Sequence, residues 1–333
     1  MLELKNISYI VNEDGKEKAI LKDINLTVDE HFVAITGPNG GGKSTLAKMI
    51  AGIIRPTSGQ ILLDGEDITD YKEAKMRKLR GGRMSMIFQD PLLTLNPTMP
   101  VGKQITESII RQQKKDRETA EKMAIELLKL VGIDNPEEMY HLQPHFFSGG
   151  MRQRCVIAVA LAANPKILFA DEPTTALDVT VADKILDLLI DIKNKTEISI
   201  VFISHDLGAV AKIADRVAVM YAGKIVEIGT AEDIYYSPEH PYTWGLLSSL
   251  PALAIESGEL YSIPGTPPIL IDPPKGDAFA VRNEYALAID YEKEPPMFKI
   301  SDTHYAATWL LDERAPKVQR PIQLERGKGI WKK

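Results

Sequence analysis

Short apolar runs alternate with helical patterns through the middle of the chain. The runs predicted as strands cover residues 166–172, 199–205 and 216–223, and the helical patterns between and before them cover residues 148–164, 181–195 and 207–214. Runs such as ILFA and IVFI are apolar at consecutive positions, which is typical of parallel strands with helices on both faces. The pattern therefore predicts an α/β fold.

The N-terminal part follows a different pattern, in which short strands are separated by polar turns. The predicted strands cover residues 2–10, 19–28 and 31–36, and residues 56–68 repeat the strand-and-turn pattern. Residues 71–83 are basic and polar. A strand follows over 84–89, then a proline-punctuated loop over 90–100. Residues 101–132 form a long helical stretch whose charged middle is expected to be a solvated surface.

The composition changes after Leu250. Residues 263–276 (IPGTPPILIDPPKG) are rich in proline and glycine, and the segment from there to Lys333 has aromatic residues but no clear period. We therefore expect a linker or irregular lobe, followed by a C-terminal region whose fold the pattern does not define.

Residues 37–45 read GPNGGGKST. Glycine costs conformational entropy on folding, so four glycines in nine positions indicate a backbone that turns sharply or approaches something closely. The spacing from Gly37 to Gly42, Lys43 and Ser44 fits the phosphate-binding P-loop pattern. In a P-loop, backbone N–H groups and the N-terminus of the next helix face phosphate oxygens. The candidate phosphate-binding residues are Gly37, Pro38, Asn39, Gly40, Gly41, Gly42, Lys43, Ser44 and Thr45.

The context of this loop separates it from a simple glycine turn with a solvated lysine. An apolar run precedes it at residues 32–35, and residues 46–54 (LAKMIAGII) continue with apolar side chains at helical spacing. Strand, loop and helix therefore occur in the order that a P-loop requires. We expect Lys43 to reach the β and γ phosphates and the Ser44 hydroxyl to bind Mg²⁺.

Charge and cysteine content exclude several classes of protein. The formal charge of the 333 residues is −6, with both signs interspersed, so we expect no binding of nucleic acid. The single cysteine, Cys155, excludes internal disulfides and a metal site made only of cysteines, and it is expected to be a buried, unreactive thiol. No apolar run approaches the roughly 20 residues of a membrane span, and the N-terminus lacks a signal-peptide pattern. We therefore expect a soluble, cytoplasmic chain.

An ATP-hydrolysing enzyme also needs a carboxylate for the metal and a group that activates water. Asp171 and Glu172 end a predicted strand, which would place Asp171 at the metal and leave Glu172 as the general base. Taken alone, two such carboxylates could equally be solvated loop residues. Gln89 and His205 end two further predicted strands, where ligand-facing residues belong in sheets of this type.

A second glycine loop, FSGGMRQR at residues 147–154, opens another predicted helix. A helix N-terminus with glycines suits an anion, but this loop has no lysine and no metal ligand at the P-loop spacing. In their order, these motifs make the chain resemble the ATP-binding subunits of ABC transporters over about residues 1–245, with FSGGM similar to the family signature LSGGQ. The resemblance implies that two such subunits pair head to tail, so that the signature of one caps the ATP held by the P-loop of the other.

The resemblance also implies a fold and a division of the chain. It implies a P-loop NTPase of the ABC type, with a RecA-like core, an antiparallel β subdomain and a helical subdomain at about residues 90–165. Residues 1–250 would form this nucleotide-binding domain, and residues 251–333 a small, irregular C-terminal extension.

The family's functional positions are all filled in this chain. Residues 37–45 resemble its Walker A motif, and residues 176–178 its D-loop, which ends at Asp178. The resemblance implies that Asp171 binds Mg²⁺ together with Ser44 and Gln89, that Glu172 is the catalytic base, and that His205 acts as the switch histidine. The signature residues that would contact ATP are Ser148, Gly149, Gly150 and Met151. A degenerate cassette that does not hydrolyse ATP is therefore disfavoured.

Three further segments, together with the signature FSGGMRQR, resemble the peptide and nickel importer group, and most of all the D-type ATPases of oligopeptide permeases. They cover residues 87–105, 237–251 and 263–268. This resemblance implies a heterodimer with a related ATPase, two transmembrane permease subunits and an extracellular substrate-binding protein, at the cytoplasmic face of a bacterial membrane. Nickel or another small solute remains an alternative cargo, because no residue of an ATPase touches the cargo.

The chain departs from the family pattern at three places. Residues 276–299 lack the cysteine cluster of many relatives, so we expect no iron-sulfur cluster. Met151 stands where the family more often has glutamine, a change that is typical of this group. The aromatic residue that stacks on adenine is displaced, since Val11 lies at its position and Tyr9 two residues earlier, and both are kept as candidates.

Other functions with the same motifs fit less well. ABC ATPases of DNA repair or chromosome organisation insert a long coiled coil between the P-loop and the signature, but only about a hundred residues without sustained heptads separate Lys43 from Ser148. ATPases of translation join two cassettes in one chain, and this chain has one P-loop. A regulatory module without activity is disfavoured by Glu172 and His205.

Overall fold

The structure is a computed structural model that describes residues 1–13, 15–29, 32–175, 177–250, 262–268 and 274–321. Contacts divide the chain into two compact units. The first unit comprises residues 1–69 and 204–333, and the second comprises residues 70–203. This division differs from the predicted boundary at residue 250, which stays a prediction. Within the described ranges, no helix has the length and apolar character needed to cross a membrane.

The secondary structure confirms the α/β class. The strands are β1 Leu2–Glu13, β2 Lys16–Val28, β3 Phe32–Thr36, β4 Ser58–Leu63, β5 Glu66–Asp67, β6 Met84–Ile87, β7 Ile167–Asp171, β8 Ser199–Ile203, β9 Arg216–Tyr221, β10 Lys224–Thr230, β11 Phe298–Lys299 and β12 Tyr305–Ala306. The helices are α1 Lys43–Ile50, α2 Glu73–Arg80, α3 Pro91–Thr94, α4 Val101–Gln113, α5 Arg117–Leu130, α6 Pro136–Met139, α7 Gly149–Leu161, α8 Val179–Lys195, α9 Leu207–Ile213, α10 Ala231–Tyr236 and α11 Pro241–Ser248.

The first unit contains an antiparallel sheet in the order β2-β1-β4-β5. Along β2, the buried residues Ile24, Leu26 and Val28 alternate with more exposed ones, so one face of the sheet packs on the core. Asp64 and Gly65 join β4 to β5 with φ values of 52° and 82°. Positive φ at both positions is typical of the tightest hairpin turns.

Further strands of the first unit place the P-loop. β3 is fully buried and pairs in parallel with β9. A turn follows β9 and leads into β10, which pairs with β9 in the antiparallel direction. β12 then pairs with β10, and β11 with β12, so the C-terminal region contributes to the same sheet. Beside this pairing, the buried His304 places its Nε2 atom 2.8 Å from Oε1 of Glu227, which has no exposed surface.

The second unit contains three parallel strands in the order β8-β7-β6. Residues 167–170 of β7 are buried, as their continuous apolar sequence predicts, and Asp171 at the end of the strand is buried as well. Cys155 lies in α7 with no exposed surface, and burial raises the pKa of its thiol to about 12. The thiol is therefore protonated at neutral pH, which agrees with the expected unreactive cysteine.

The predicted long helix over residues 101–132 was wrong, because it is two helices. Lys114 has a φ of 58°, which ends α4, and Asp116 begins α5 by accepting a hydrogen bond from the Thr119 N–H at 2.9 Å. A side chain that satisfies a free N–H of the first turn favours a new helix start. Shorter helices also lie in segments without a predicted helix, among them α2 in the basic segment and α3 in the loop over residues 90–100.

Candidate active site

The glycine loop of the first unit leads from the buried strand β3 into α1. This helix begins at Lys43 and ends at Ile50, rather than covering the predicted residues 46–54. Gly42 is its N-cap residue with a φ of 95°, and Gly52 follows its end with a φ of 68°. These positive φ values, which suit glycine, set both ends of the helix.

Two glycines of this loop are required by the backbone around them. A Cβ atom on Gly37, whose φ is 147°, would lie 2.1 Å from the Met220 carbonyl oxygen. A Cβ atom on Gly42, whose φ is 95°, would lie 3.0 Å from the Ile20 carbonyl oxygen and 2.8 Å from Cδ2 of Leu21. Larger residues therefore cannot occupy either position without moving a strand. At the tip of the loop, Asn39 and Gly40 are exposed.

Lys43 is only 4% exposed, and its side chain folds over the loop. Its Nζ atom donates hydrogen bonds to the carbonyl oxygens of Gly37 and Pro38, both at 2.9 Å. A buried ammonium needs partners of this kind. The two carbonyls hold the positive charge next to the N-terminus of α1, where Ser44 and Thr45 are half-buried. The loop thus concentrates positive charge and N–H groups at one point.

The other first-unit candidates lie on β1 and just after β8. Tyr9 and Val11 are half-buried and two positions apart on β1, where Tyr9 pairs with Leu21 and Val11 with Lys18. His205 is exposed and lies two residues beyond the end of β8, rather than within the predicted strand. Asp206 directly after it caps α9, accepting hydrogen bonds from two N–H groups of that helix. The roles of Tyr9, Val11 and His205 stay predictions.

The second unit brings three candidate residues together at the end of β7. Asp171 is the last residue of this strand and is 5% exposed. The next residue, Glu172, is half-buried, and its Oε2 atom accepts a hydrogen bond from Gln89 Nε2 at 3.4 Å. Gln89 lies two residues beyond the end of β6, rather than at the predicted strand end. The structure thus places Gln89 beside Glu172, and the roles of both residues stay predictions.

Glu172 has an unusual backbone conformation, with a φ of 48°. Non-glycine residues rarely adopt this region, and holding one there costs about 1–3 kcal/mol. The conformation is held because the Glu172 N–H donates to the Ile203 carbonyl at 2.9 Å and the Thr175 N–H donates to the Glu172 carbonyl at 3.2 Å. Strained residues that the surroundings hold in place are concentrated at functional sites.

The contact of Thr175 with Glu172 was not predicted from the sequence. Its hydroxyl donates a hydrogen bond to Oε2 of Glu172 at 2.9 Å, so the carboxylate is oriented from two sides, by Gln89 and by Thr175. The signal in the sequence is the spacing EPTT, because a chain that turns after Glu172 returns the residue three positions later. A carboxylate that is oriented in this way can take a proton from a water molecule placed beside it.

The second glycine loop opens α7 in the second unit. Ser148 is the N-cap residue, and its hydroxyl accepts a hydrogen bond from the Met151 N–H at 3.3 Å. A Cβ atom on Gly149 would meet no described atom within 4 Å, whereas one on Gly150 would lie 2.4 Å from Cγ1 of Val181. Gly149 is also exposed, so the first turn of α7 presents its backbone to the surface.

Val181 belongs to α8, which the predicted D-loop precedes. Asp178 caps this helix, because its Oδ1 atom accepts a hydrogen bond from the Val181 N–H at 3.0 Å. Gly150 of the signature therefore packs against the first turn of the helix that Asp178 caps. Ala176, the first residue of the predicted D-loop, lies outside the described residues.

The donor groups fit a nucleotide and a magnesium ion. A buried ammonium and a glycine loop at a helix N-terminus are suited to phosphate. Among the residues that the structure describes, no group of three or more His, Cys, Asp or Glu side chains could hold a metal ion. Mg²⁺ does not need such a group, because it commonly binds one or two carboxylates together with substrate phosphates and water. Ser44 and the buried Asp171 are donors of the required kind.

Comparison with known proteins agrees with this chemistry. The family described as ABC transporter matches residues 21–175, and the family described as oligopeptide/dipeptide transporter, C-terminal region, matches residues 226–289. A dimeric ATP-binding cassette in a post-hydrolysis state, bound to ADP and Pi, is similar in structure with a TM-score of 0.64 and 29% identity. That similarity covers 69% of this chain and 99% of the cassette.

Two curated relatives match almost the whole chain. The oligopeptide transport ATP-binding protein OppD of Bacillus subtilis (strain 168) is 54% identical over 329 residues, which is 96% of this chain and 92% of the relative. The dipeptide transport ATP-binding protein DppD of Lactococcus lactis subsp. cremoris (strain MG1363) is 49% identical over 324 residues, which is 96% and 93% of the two chains.

The fold and these matches define the class of the protein as a P-loop ATPase of the ABC type. Within that class, the chain belongs to the ABC transporter ATP-binding subunits that carry an oligopeptide/dipeptide transporter C-terminal region. The predicted family, fold class and ATPase activity are confirmed. The roles of the individual site residues are not tested by these matches and remain predictions.

Proposed function

We propose that this chain hydrolyses ATP to drive a bacterial importer of oligopeptides. The observation that carries the proposal is its identity of 54%, over 96% of its length, to an oligopeptide transport ATP-binding protein. The match to an oligopeptide/dipeptide transporter C-terminal region at residues 226–289 supports the same cargo. The peptide would not contact the ATPase subunit, so the cargo is inferred from sequence similarity to the relatives. The chemistry is inferred from the residues of the site.

The proposed assembly has four kinds of partner. This chain would form a heterodimer with a related ATPase and bind two transmembrane permease subunits at the cytoplasmic face of the membrane. An extracellular binding protein would deliver the peptide. The path for the cargo would be formed by the permease subunits.

In the proposed reaction, the glycine loop binds the phosphates of ATP. Lys43 would turn from the loop carbonyls toward the β and γ phosphates, while the N–H groups of residues 37–45 donate to phosphate oxygens. Ser44, Asp171 and Gln89 would hold Mg²⁺, which when bound neutralises charge on the β and γ phosphates. Tyr9 or Val11 would contact the adenine ring.

Glu172 would take a proton from the attacking water. The hydrogen bonds from Gln89 and Thr175 to its Oε2 atom orient the carboxylate before ATP arrives, which lowers the cost of reaching a reactive geometry. The buried Asp171 would remain with the metal. His205 would act on the γ phosphate side of the same reaction. These roles divide binding, metal coordination and proton transfer among separate groups.

The signature loop would act on the ATP of the partner subunit. Ser148, Gly149, Gly150 and Met151 would approach its phosphates, and Asp178 would lie at the same junction. An exposed helix N-terminus without a lysine suits this capping role better than independent binding of Mg-ATP. Each ATP would thus be enclosed by two chains, which couples hydrolysis to the closure of the pair.

An uptake experiment tests the proposal. The gene for this chain is deleted in its source organism, and the cells are complemented with the wild-type chain or with Glu172→Gln. We expect uptake of a labelled tripeptide to be restored by the wild type and not by the variant. Uptake of labelled nickel is measured in the same cells as the control. Loss of nickel uptake with unchanged peptide uptake would contradict the proposed cargo.

A further inference from the structure

The backbone of the P-loop rests on two other segments of the first unit. The Gly223 N–H, in the turn between β9 and β10, donates to the Gly41 carbonyl at 3.2 Å, and the Gly223 carbonyl accepts from the Lys22 N–H of β2 at 2.9 Å. Gly42 meets Leu21 so closely that a Cβ atom would lie 2.8 Å from Cδ2 of that residue. A displacement of β2 or of the turn would therefore move the loop, because packed interiors transmit strain.

A carboxylate from the C-terminal region holds both segments. Oε1 of Glu294 lies 2.5 Å from Nζ of Lys22 on β2, and Oε2 of the same residue pairs with Nζ of Lys224 on β10. One side chain thus links β2 to the strand that follows the β9–β10 turn. The three side chains are between 29% and 40% exposed, so the bridge is partly shielded from water.

The surroundings keep this bridge charged. Burial alone would raise the pKa of the Glu294 carboxyl, but the hydrogen bonds from Lys22 and Lys224 hold it below its ordinary value, so it is ionised at neutral pH. A cavity of about 50 Å³ borders the same three residues, with room for a few water molecules but not for a metabolite. In its wall, burial raises the pKa of the Asp277 carboxyl to about 6, as expected where water is scarce. Ion pairs are less screened in such surroundings.

Attachment of the C-terminal region does not depend on this bridge alone. Arg320 pairs with Glu239, and His304 contacts the buried Glu227. These contacts reach β10 and the segment before α11, and neither involves the β9–β10 turn or β2. The bridge at Glu294 is therefore distinct in joining the two segments on which the P-loop rests.

We propose that Glu294 is a positioning residue for the P-loop of its own chain, acting through Lys22 and Lys224 on the backbone that supports Gly41 and Gly42. It does not touch the nucleotide in this proposal. The proposal rests on the proposed function only in taking the P-loop as the phosphate site. The C-terminal region thereby takes part in nucleotide binding without a ligand of its own.

Hydrogen exchange of the full chain without nucleotide tests the positioning directly. In Glu294→Gln, which removes the charge but keeps the shape, we expect faster exchange in peptides covering residues 37–45. The dissociation constant for ATP should rise by about twofold to thirtyfold, the range of coupling through packed networks. Removing a carboxylate near an anion site would by itself strengthen ATP binding. Weaker binding therefore reports the geometry of the loop and not the change in charge.

The matched control is Arg320→Gln, which breaks another ion pair of the C-terminal region. It should leave both the exchange of residues 37–45 and the ATP affinity unchanged. Equal changes in the two variants would overturn the proposal in favour of simple attachment, and so would unchanged exchange with Glu294→Gln. If Glu294→Gln does not fold, Lys224→Gln replaces it and is judged by the exchange of residues 37–45 alone, because removing a cation near an anion site would by itself weaken ATP binding. If the wild-type chain binds no ATP, the proposed function would be contradicted. Faster exchange of residues 37–45 in Glu294→Gln would still support the positioning in that case.

Discussion

The two glycine loops of this chain both open a helix, but their glycines serve different needs. In the P-loop, Gly37 and Gly42 have positive φ values, and a side chain at either position would collide with a neighbouring strand. In the signature loop, Gly149 and Gly150 are the first residues of α7, and neither is among the residues with positive φ. Only Gly150 is close to other atoms of the described chain, at Val181.

The difference separates glycines that the fold requires from one that it does not. The P-loop could not adopt its backbone conformation without Gly37 and Gly42. It also carries a buried lysine that its own carbonyl groups hold. Gly149 satisfies no requirement of the described chain around it, because a Cβ atom there would meet open space. A residue without a side chain at an exposed helix N-terminus leaves room for a group from another molecule. We infer that the P-loop can bind ATP within a single chain, whereas the signature loop acts on a group of a partner molecule.

The largest effect is expected for a change that stops the hydrolysis of ATP without preventing its binding. Glu172→Gln keeps the size of the side chain and removes its basicity, so hydrolysis by the assembled transporter should fall by about a hundredfold or more. Binding of ATP should persist, because Lys43 and Asp171 are unchanged. The closed pair should then accumulate, and its thermal stability should rise with the ATP concentration. Steady-state hydrolysis and thermal melting with ATP measure both effects.

The control for Glu172→Gln must account for the second ATPase of the pair. The residual rate is compared with that of a complex in which both subunits carry the equivalent change, because the partner's own site can remain active. Hydrolysis near the wild-type rate would contradict the role of Glu172. Proton transfer would then have to be sought at His205.

The next prediction tests whether the P-loop of the isolated chain binds ATP without a partner. Lys43→Ala removes a cation expected to contact several phosphate charges, so the ATP affinity of the isolated chain should fall by about tenfold to a hundredfold. Titration with a fluorescent ATP analogue measures this. Lys48→Ala, in the last turn of the same helix, is the matched control and should change the affinity less than twofold. Equal affinities for wild type and Lys43→Ala would show that the phosphates bind elsewhere.

The third effect tests the signature loop directly. Gly149→Ala places a methyl group in open space, so ATP binding and thermal stability of the isolated chain should stay the same. Hydrolysis by the assembled pair should fall by about tenfold, because the methyl group would displace the partner's nucleotide. Loss of ATP binding in the isolated variant would contradict the inference that this loop acts on the partner's ATP.

Gly150→Ala is the contrasting variant, because its methyl group would lie 2.4 Å from Val181. We expect it to destabilise the isolated chain by about 1–3 kcal/mol through overpacking. A second change, Val181→Ala, should recover part of that loss by making room. Equal melting temperatures for Gly149→Ala and Gly150→Ala would show that the distinction between the two glycines is wrong.

The sequence predicted the positions of both loops, each at the start of a helix, better than the elements between them. Lys43, Glu172 and Ser148 became candidate site residues because their motifs occur in a fixed order after strands and before helices. The break between α4 and α5 was missed because it lies in the charged middle of the stretch, although Asp116 three residues before Thr119 is a helix-start signal. The positive φ of Glu172 had no signal, because tertiary hydrogen bonds hold a non-glycine residue there.

The C-terminal strands could not have been predicted from periodicity. β11 and β12 are two residues long, and β12 pairs with a strand nearly eighty residues earlier in the chain. A period cannot be read from two residues, and the pairing partner is defined only by the folded sheet. The contact of His304 with Glu227 follows from that pairing and is likewise invisible in the sequence.

The smallest expected effect concerns the helix that the signature loop opens. Cys155 is fully buried in α7, and burial raises the pKa of its thiol to about 12, so it should neither bind a metal nor contribute to the loop's function. Cys155→Ala should leave ATP affinity and hydrolysis unchanged within about twofold, with a small loss of stability from the missing sulfur. An iron-sulfur cluster commonly needs four cysteine ligands and the chain has one, so iron and sulfide analysis of the full chain should find neither. Stoichiometric iron, or a tenfold loss of hydrolysis in Cys155→Ala, would show that α7 has a role beyond placing Ser148 and Gly149.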